Sequence, residues 1–441
     1  FTGRNLQRRG MTVVFPRRRA REASGGKRSA LTAKLRLRRR DGFVATVPAN
    51  ARSGRIRIYG RGTRSNVVGP IHIRKPAPRT PSGTGTAFDG TGMWIWYVSK
   101  SSGGTVAGIA AQAQQYGVNT VFVKSSDGTN WWSQFSPTLV SQLKAAGLHV
   151  CAWQFVYGKD PASEAALGAQ AAQTGADCLV IDAEGQYEGL YSQAQTYIQD
   201  LRATIGPSYP VGLASFPYVD YHPSLPYSVF LGPGGAQYNL PQVYWKAIGT
   251  SVDTALAHTY LWNSIYGARI FPLGQLYDNP STSDIQRFRA LSAGYGASGV
   301  SWWSWQSAAS AGWAAIAPPA PAPVAPPPTG YPLLQSGSKG DVVLWAQEHL
   351  MSAGQPVSTS GVYDSATANA VSSFQSANGL PVTGQVDANT WPVLLRLPPA
   401  PVSWTSKRAR ASAATAHHRN GPRSAFLHAK RYEIPPSPPG P

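Results

Sequence analysis

Two carboxylates stand one residue apart at the end of the run Cys178-Leu179-Val180-Ile181-Asp182-Ala183-Glu184. Leu179, Val180 and Ile181 precede them, the pattern of a strand buried on both faces. On an extended chain, residues i and i+2 project to the same side. The two acids would then share one environment, with Cα atoms ~6.5–7 Å apart. Two partly desolvated carboxyls cannot both ionise cheaply, so one keeps its proton and can act as a general acid. The bland alternative is a helix N-cap followed by an exposed turn acid. No His pair at metal spacing and no Ser/His/Asp set with an elbow motif competes with this pair.

The elements that must hold the pair are regular. Strand-like runs recur at Met93–Val98, Thr120–Lys124, His149–Phe155, Cys178–Asp182, Val211–Ser215, Gln242–Trp245, Ile270–Gln275 and Val300–Trp305. Helical patterns lie between them, among them Val106–Tyr116, Ser136–Ala146, Ala162–Gln173 and Tyr191–Ile205. Strand then helix, repeated over residues 88–317, predicts a (β/α)₈ TIM barrel. The competing doubly wound sheet would more often carry a phosphate-binding glycine loop after its first strand, and none is seen.

In a barrel the reactive groups project from the C-terminal strand ends, which selects Asp182 and Glu184 and adds Asp127 and Asp278 as possible further charges. Trp96, Trp131, Trp132, Tyr157, Tyr244, Trp245, Tyr277, Trp303 and Trp305 cluster near the same ends. Such faces stack on sugar rings, although about half of them should be core filling. Gln154, Gln242 and Gln275 could bond sugar hydroxyls. Asp220 and His222 read as turn residues. Cys151 and Cys178 are too few for a disulfide framework or a zinc site, and read as buried thiols packing as small apolar residues, with a bridge as the alternative.

The whole chain of 441 residues has a net charge of +20, with 37 Pro and 45 Gly. The barrel and its downstream neighbour are mildly acidic; the basic excess sits in residues 1–80 and in the tail. Basic ends can meet polyanions, but no nucleic-acid motif with interleaved aromatics appears. No apolar run is long enough to span a membrane. The chain starts at Phe1 without a charged-then-apolar leader, so the absence of a signal peptide is weak evidence about export. Low-complexity segments divide it into a β-rich region 1–76, a linker 77–87, the barrel 88–317, a polyproline-II spacer 318–332, a module 333–397 and a basic tail 398–441 read as disordered.

Family resemblances fall on three of these regions. GRNL near the start, ATVPANARSGRIRIYGRGTRSN and IHI resemble a truncated Ig-like IPT/TIG module, which implies a partial β-sandwich. Residues 333–395 resemble the small all-helical type 1 peptidoglycan-binding domain. Its landmarks include Gly337-Ser338-Lys339-Gly340, Val343, Gln347, Leu350, Tyr363, Phe374-Gln375 and Thr390-Trp391. Most of these are core and turn positions. The resemblance implies that the module grips cell-wall peptide or glycan.

Residues 118–188 resemble family-25 glycoside hydrolases, the lysozyme-like muramidases. The match lies in Lys124-Ser125-Ser126-Asp127-Gly128-Thr129, in Ala146-Gly147-Leu148 leading to Val150, Trp153 and Phe155, and in Asp182 with Glu184. It implies Glu184 as proton donor and Asp182 as the group that orients the sugar or stabilises developing positive charge. Asp127 joins the expected catalytic set, because Asp127 or Asp278 could supply the charge of an acid that the family carries on its first strand. Trp96, Lys124, Gln154, Tyr157, Tyr244, Trp245, Asp278 and Trp305 are expected to bind substrate. The family's first-strand Asp has no counterpart in Gly92-Met93-Trp94-Ile95-Trp96. The expectation is a monomeric, secreted or wall-associated hydrolase of the peptidoglycan glycan backbone, with no cofactor. A non-catalytic wall-binding protein is the alternative.

Overall fold

The computed structural model describes residues 85–404 together with six strands between residues 12 and 71. It comprises two compact units, residues 1–82 and 83–441. Most of the 77–87 linker and the tail beyond residue 404 lie outside the described residues.

In the first unit, Thr12–Phe15, Leu31–Arg39, Gly42–Ala45, Gly54–Gly60, Thr63–Arg64 and Val68–Ile71 pair antiparallel in one sheet. Ile56 and Ile58 are buried between exposed Arg55, Arg57 and Tyr59, the period-two alternation of a strand with one covered face.

The second unit is built on eight parallel strands. They are β1 (Gly90–Ile95), β2 (Thr120–Asp127), β3 (His149–Val156), β4 (Cys178–Ala183), β5 (Val211–Ser215), β6 (Tyr238–Val243), β7 (Leu273–Gln275) and β8 (Gly299–Trp303). Each pairs with the next, and β8 pairs with β1, so the sheet closes into a barrel. Before β7, a short bridge at Arg269–Ile270 is separated from it by Phe271 and Pro272, whose ring nitrogen cannot join the ladder. Helices α1 (Val106–Tyr116), α2 (Pro137–Ala145), α3 (Pro161–Gln173), α4 (Tyr191–Ile205), α5 (Val252–Asn263), α6 (Thr282–Gly294) and α7 (Ser310–Ile316) follow the strands. Thr105, Ser136, Asp160, Ser251 and Ser281 cap the N-termini of α1, α2, α3, α5 and α6 with side-chain oxygens.

Alternation sorts every strand. On β4, Leu179, Ile181 and Ala183 pack against the helices, while Cys178 and Val180 face the barrel interior. Aromatic rings fill that interior: Trp94 lies 5.1 Å from Phe122 and 5.5 Å from Trp153, centroid to centroid. Cys151 and Cys178 are register partners and form a disulfide with a Cα–Cα distance of 4.6 Å. The expectation of free thiols is corrected: two interior cysteines opposite one another on paired strands are within bonding reach.

The proline-rich segment is no free spacer. Val324 N–H bonds to Ala290 O on α6 at 3.0 Å, and Val324 and Tyr331 pack onto the main core. The helices beyond it, α8 (Asp341–Ser352), α9 (Ser365–Ala377) and α10 (Trp391–Leu394), share that core with the barrel. Asp341 is fully buried at their junction. Its carboxylate accepts from Ser228 N at 2.8 Å, Ser228 Oγ at 2.7 Å and Tyr266 Oη at 2.7 Å. Trp345 Nε1 donates to Ile265 O at 2.9 Å, and Asp341 N donates to Pro223 O at 2.7 Å. Residues 398–404, expected to be disordered, end in Trp404. It is buried on Tyr191 with ring centroids 4.6 Å apart, and its N–H is held by Gln195. No helix among the described residues is long and apolar enough to cross a membrane.

Candidate active site

Asp182 is the last inward-facing residue of β4, and Glu184 follows it two residues on, as alternation requires. Asp182 is 5% exposed, whereas Glu184 is partly open to solvent. Gln242, near the end of β6, reaches both: its Nε2 donates to Asp182 Oδ1 at 3.0 Å and to Glu184 Oε1 at 2.9 Å. One amide nitrogen thus holds two carboxyl groups together.

Both acids are pushed above the ordinary carboxylate range, chiefly by burial. Asp182 is raised well above it, because it lies deeper and faces the charge of Glu184. The two face each other closely enough to titrate as one unit, so a retained proton belongs to the pair and not to either residue alone.

A buried ammonium balances the pair. Lys124, on β2, is 1% exposed and packed under the faces of three indoles. Its Nζ lies 4.2 Å from the Trp96 ring centroid, 4.6 Å from that of Trp153 and 4.8 Å from that of Trp132. It bonds to Asp127 Oδ2 at 2.5 Å, and Asp127 Oδ1 accepts from Tyr157 Oη at 2.8 Å. Burial lowers the pKa of Lys124; Asp127, Asp182 and Glu184 oppose the shift.

Lys124 and Asp127 are three apart and would point to opposite sides of a straight strand. They meet because the β2–β3 register slips at Ser125: Lys124 pairs with Trp153, and Ser126 with Gln154. This bulge turns Asp127 to the interior beside Phe155. Gln134, which composition alone did not single out, secures the rim by donating to Trp96 O at 2.7 Å and Lys124 O at 3.1 Å.

The structure brings Trp96, Lys124, Asp127, Tyr157, Tyr244, Asp182 and Glu184 to one end of the barrel. Tyr244 lies near the pair; burial raises its pKa, and the charges of Asp182 and Glu184 add to the shift. Trp303 packs edge-on to Trp96 and Trp153, at 5.6 and 5.4 Å, on the floor of the opening.

Three expected substrate contacts are buried and engaged elsewhere. Gln154 faces the helices, where its amide bonds to Glu164 O at 2.6 Å and accepts from Tyr197 Oη at 2.9 Å. Trp245 is core, stacked on Phe288 at 5.2 Å. Trp305 packs on Trp313 and donates to Ser102 Oγ at 3.2 Å. Asp278 lies in a loop with its side chain 66% exposed, and its nearest cation is Lys246 at 4.0 Å. Gln275 is likewise internal, bonded to Ala247 N and Tyr277 O. Asp220 and His222 do more than turn the chain: Asp220 bonds to His258 at 2.7 Å and His222 to Glu188 at 2.8 Å.

The second unit is therefore a closed parallel (β/α) barrel, with an acidic, aromatic-lined end and a helical module fixed to it. Residues 339–394 match the PG_binding_1 family, a peptidoglycan binding domain. Among solved structures, the chain is similar to the chitinase of Chromobacterium violaceum ATCC 12472 at 12% identity. That match covers 52% of this chain and 98% of the other, with a TM-score of 0.38. The catalytic domain of the hyperthermophilic chitinase of Pyrococcus furiosus is 14% identical, with 51% and 86% covered and a TM-score of 0.40. The catalytic domain of endolysin ply40, from bacteriophage P40 of Listeria monocytogenes, is 18% identical, with 30% and 66% covered and a TM-score of 0.24. These values are too low to assign chemistry to this chain. No curated protein matches it in sequence.

Proposed function

We propose that the chain is a cell-wall glycan hydrolase, in which the barrel cleaves a glycosidic bond of peptidoglycan and the module holds the wall. The observation that carries this reading is the shared Gln242 nitrogen, which gathers two buried carboxyls at an opening lined with indole and phenol faces. Glu184 is the member exposed to an incoming sugar, so it donates its proton to the glycosidic oxygen as the C–O bond breaks. With the pair's one proton on Glu184, Asp182 beneath it holds negative charge against the positive charge growing at the anomeric carbon. A water molecule completes the reaction and its proton returns to Glu184.

Asp127 is a positioning residue here. Its oxygens are committed to Lys124 and Tyr157, and it fixes the ammonium that limits how far burial raises the pair. Trp96, Tyr157 and Tyr244 supply faces for sugar rings. A muramidase-like specificity fits the module's ligand class. Incubating purified sacculi with wild type and Glu184→Gln, and counting new reducing ends, tests the reading. Wild type should release them and the variant should not. Equal release would remove Glu184 from the mechanism, and release by neither would favour a barrel that binds glycan without cleaving it.

A further inference from the structure

We propose that the seam between the barrel and the helical module is a second binding site, which takes the peptide branch of the wall polymer; the proposal rests on the wall-glycan reading of the barrel. A pocket of about 210 Å³ opens along this seam. The barrel contributes Asp220 and Pro223 from the loop after β5, and Trp262 from α5. The module contributes Leu333 and Lys339.

The lining has the chemistry of a peptide end. Trp262 and Pro223 offer apolar faces, and Leu333 leaves half of its surface uncovered at the rim. Lys339 is exposed, and its ammonium forms no ion pair among the described residues. It faces the same pocket as Asp220, whose Oδ1 is bonded to His258 at 2.7 Å and which forms no ion pair with Lys339. A ligand carrying both a carboxylate and an amine along a short apolar stretch satisfies such a site; a neutral sugar does not. The volume suits one or two amino-acid residues rather than a long peptide.

Position strengthens the case. The loop that walls the seam also borders the barrel opening. Its Phe216 stacks on His222 at 3.5 Å, and His222 lies close enough to Glu184 to interact with it electrostatically. One side of residues 216–223 therefore serves the carboxylate pair while the other side, at Val219, Asp220 and Pro223, lines the seam. Peptidoglycan has the matching form, a glycan with peptides branching from its sugars. A strand lying in the opening would present a branch to the neighbouring pocket.

The test uses the full chain carrying Glu184→Gln, titrated calorimetrically with the free stem tetrapeptide that an amidase releases from sacculi. Saturable binding is expected. Lys339→Glu should weaken it at least tenfold, about 1.4 kcal/mol, while Lys339→Arg stays close to the parent. Unchanged thermal unfolding of both variants confirms that the seam is intact. Absence of saturable heat, or equal binding by Lys339→Glu, overturns the proposal. Glycan cleavage plays no part in this measurement. If the hydrolase reading fails, the Glu184 protein releases no reducing ends from sacculi whether or not the tetrapeptide binds.

Discussion

At the seam, Asp341 is wrapped in donors: a backbone N–H and the hydroxyls of Ser228, Tyr266 and Tyr191 hold one carboxylate. At the barrel opening the ratio is reversed, with two carboxylates dividing a single amide nitrogen and the Lys124 ammonium held by a third acid. Both places bury acids, and burial raises the pKa in both. A carboxylate with its lone pairs committed is a fastener. One left short of donors has lone pairs and a proton available to a ligand. Between Asp341 and the Asp182–Glu184 pair, the number of donors per carboxyl differs where burial does not.

Glu184→Gln should produce the largest effect, because it keeps the Gln242 contact but removes the transferable proton. Cleavage of sacculi should fall by ~10²–10⁴-fold, with thermal unfolding unchanged. A stability loss without a rate loss would put Glu184 on the structural side. Asp341→Ala should do the reverse, costing about 3 kcal/mol in denaturant unfolding because Ser228 and Tyr266 lose their acceptor. Its turnover on a soluble glycan oligomer, per folded molecule, should be nearly unaffected.

Removing the Lys124 charge sharpens the contrast further. The ammonium lowers the pKa of both pair members, so Lys124→Met should move the alkaline limb of kcat/KM to higher pH, by roughly one unit. A downward shift would mean that the limb reports another group. The smallest effect concerns the pH response of the fastener. Burial pushes Asp341 up to about 6, above an unfolded value of ~3.9. The folded unit therefore favours the protonated acid. The stability from that preference is complete below about pH 4 and is lost as pH rises through 6. Asp341→Asn should flatten this slope in unfolding midpoints measured between pH 4 and 7.

The barrel was legible because alternating strands and helices leave a repeat that single residues cannot disguise; the runs at Val106–Tyr116 and Tyr191–Ile205 are helices over just those spans. The Asp182 and Glu184 pair was legible for the same reason, as two inward positions of one strand. Gln154 was misjudged although alternation excluded it: Trp153 and Phe155 face inward, so their neighbour cannot. The meeting of Lys124 with Asp127 was hidden, since a bulge changes the side on which residues fall and leaves no mark in composition. The proline-rich segment and the residues after 397 were read from their composition. Their packing depends on the isolated apolar residues Val324, Tyr331 and Trp404, which a compositional average dilutes.

The direct attachment of the module changes how attachment to a wall would guide the barrel. A catalytic unit on a flexible tether samples a volume set by linker length, and its effective concentration over any one bond is diluted across that volume. Here the proline segment is laid along α6 and the Asp341 contacts fix the junction. If the barrel cleaves and the module grips as proposed, sampling would collapse to one offset between the gripped point and the bond presented for cleavage. Each landing would then address a single register of the polymer. Progress along the wall would be governed by the rate at which the module lets go and lands again.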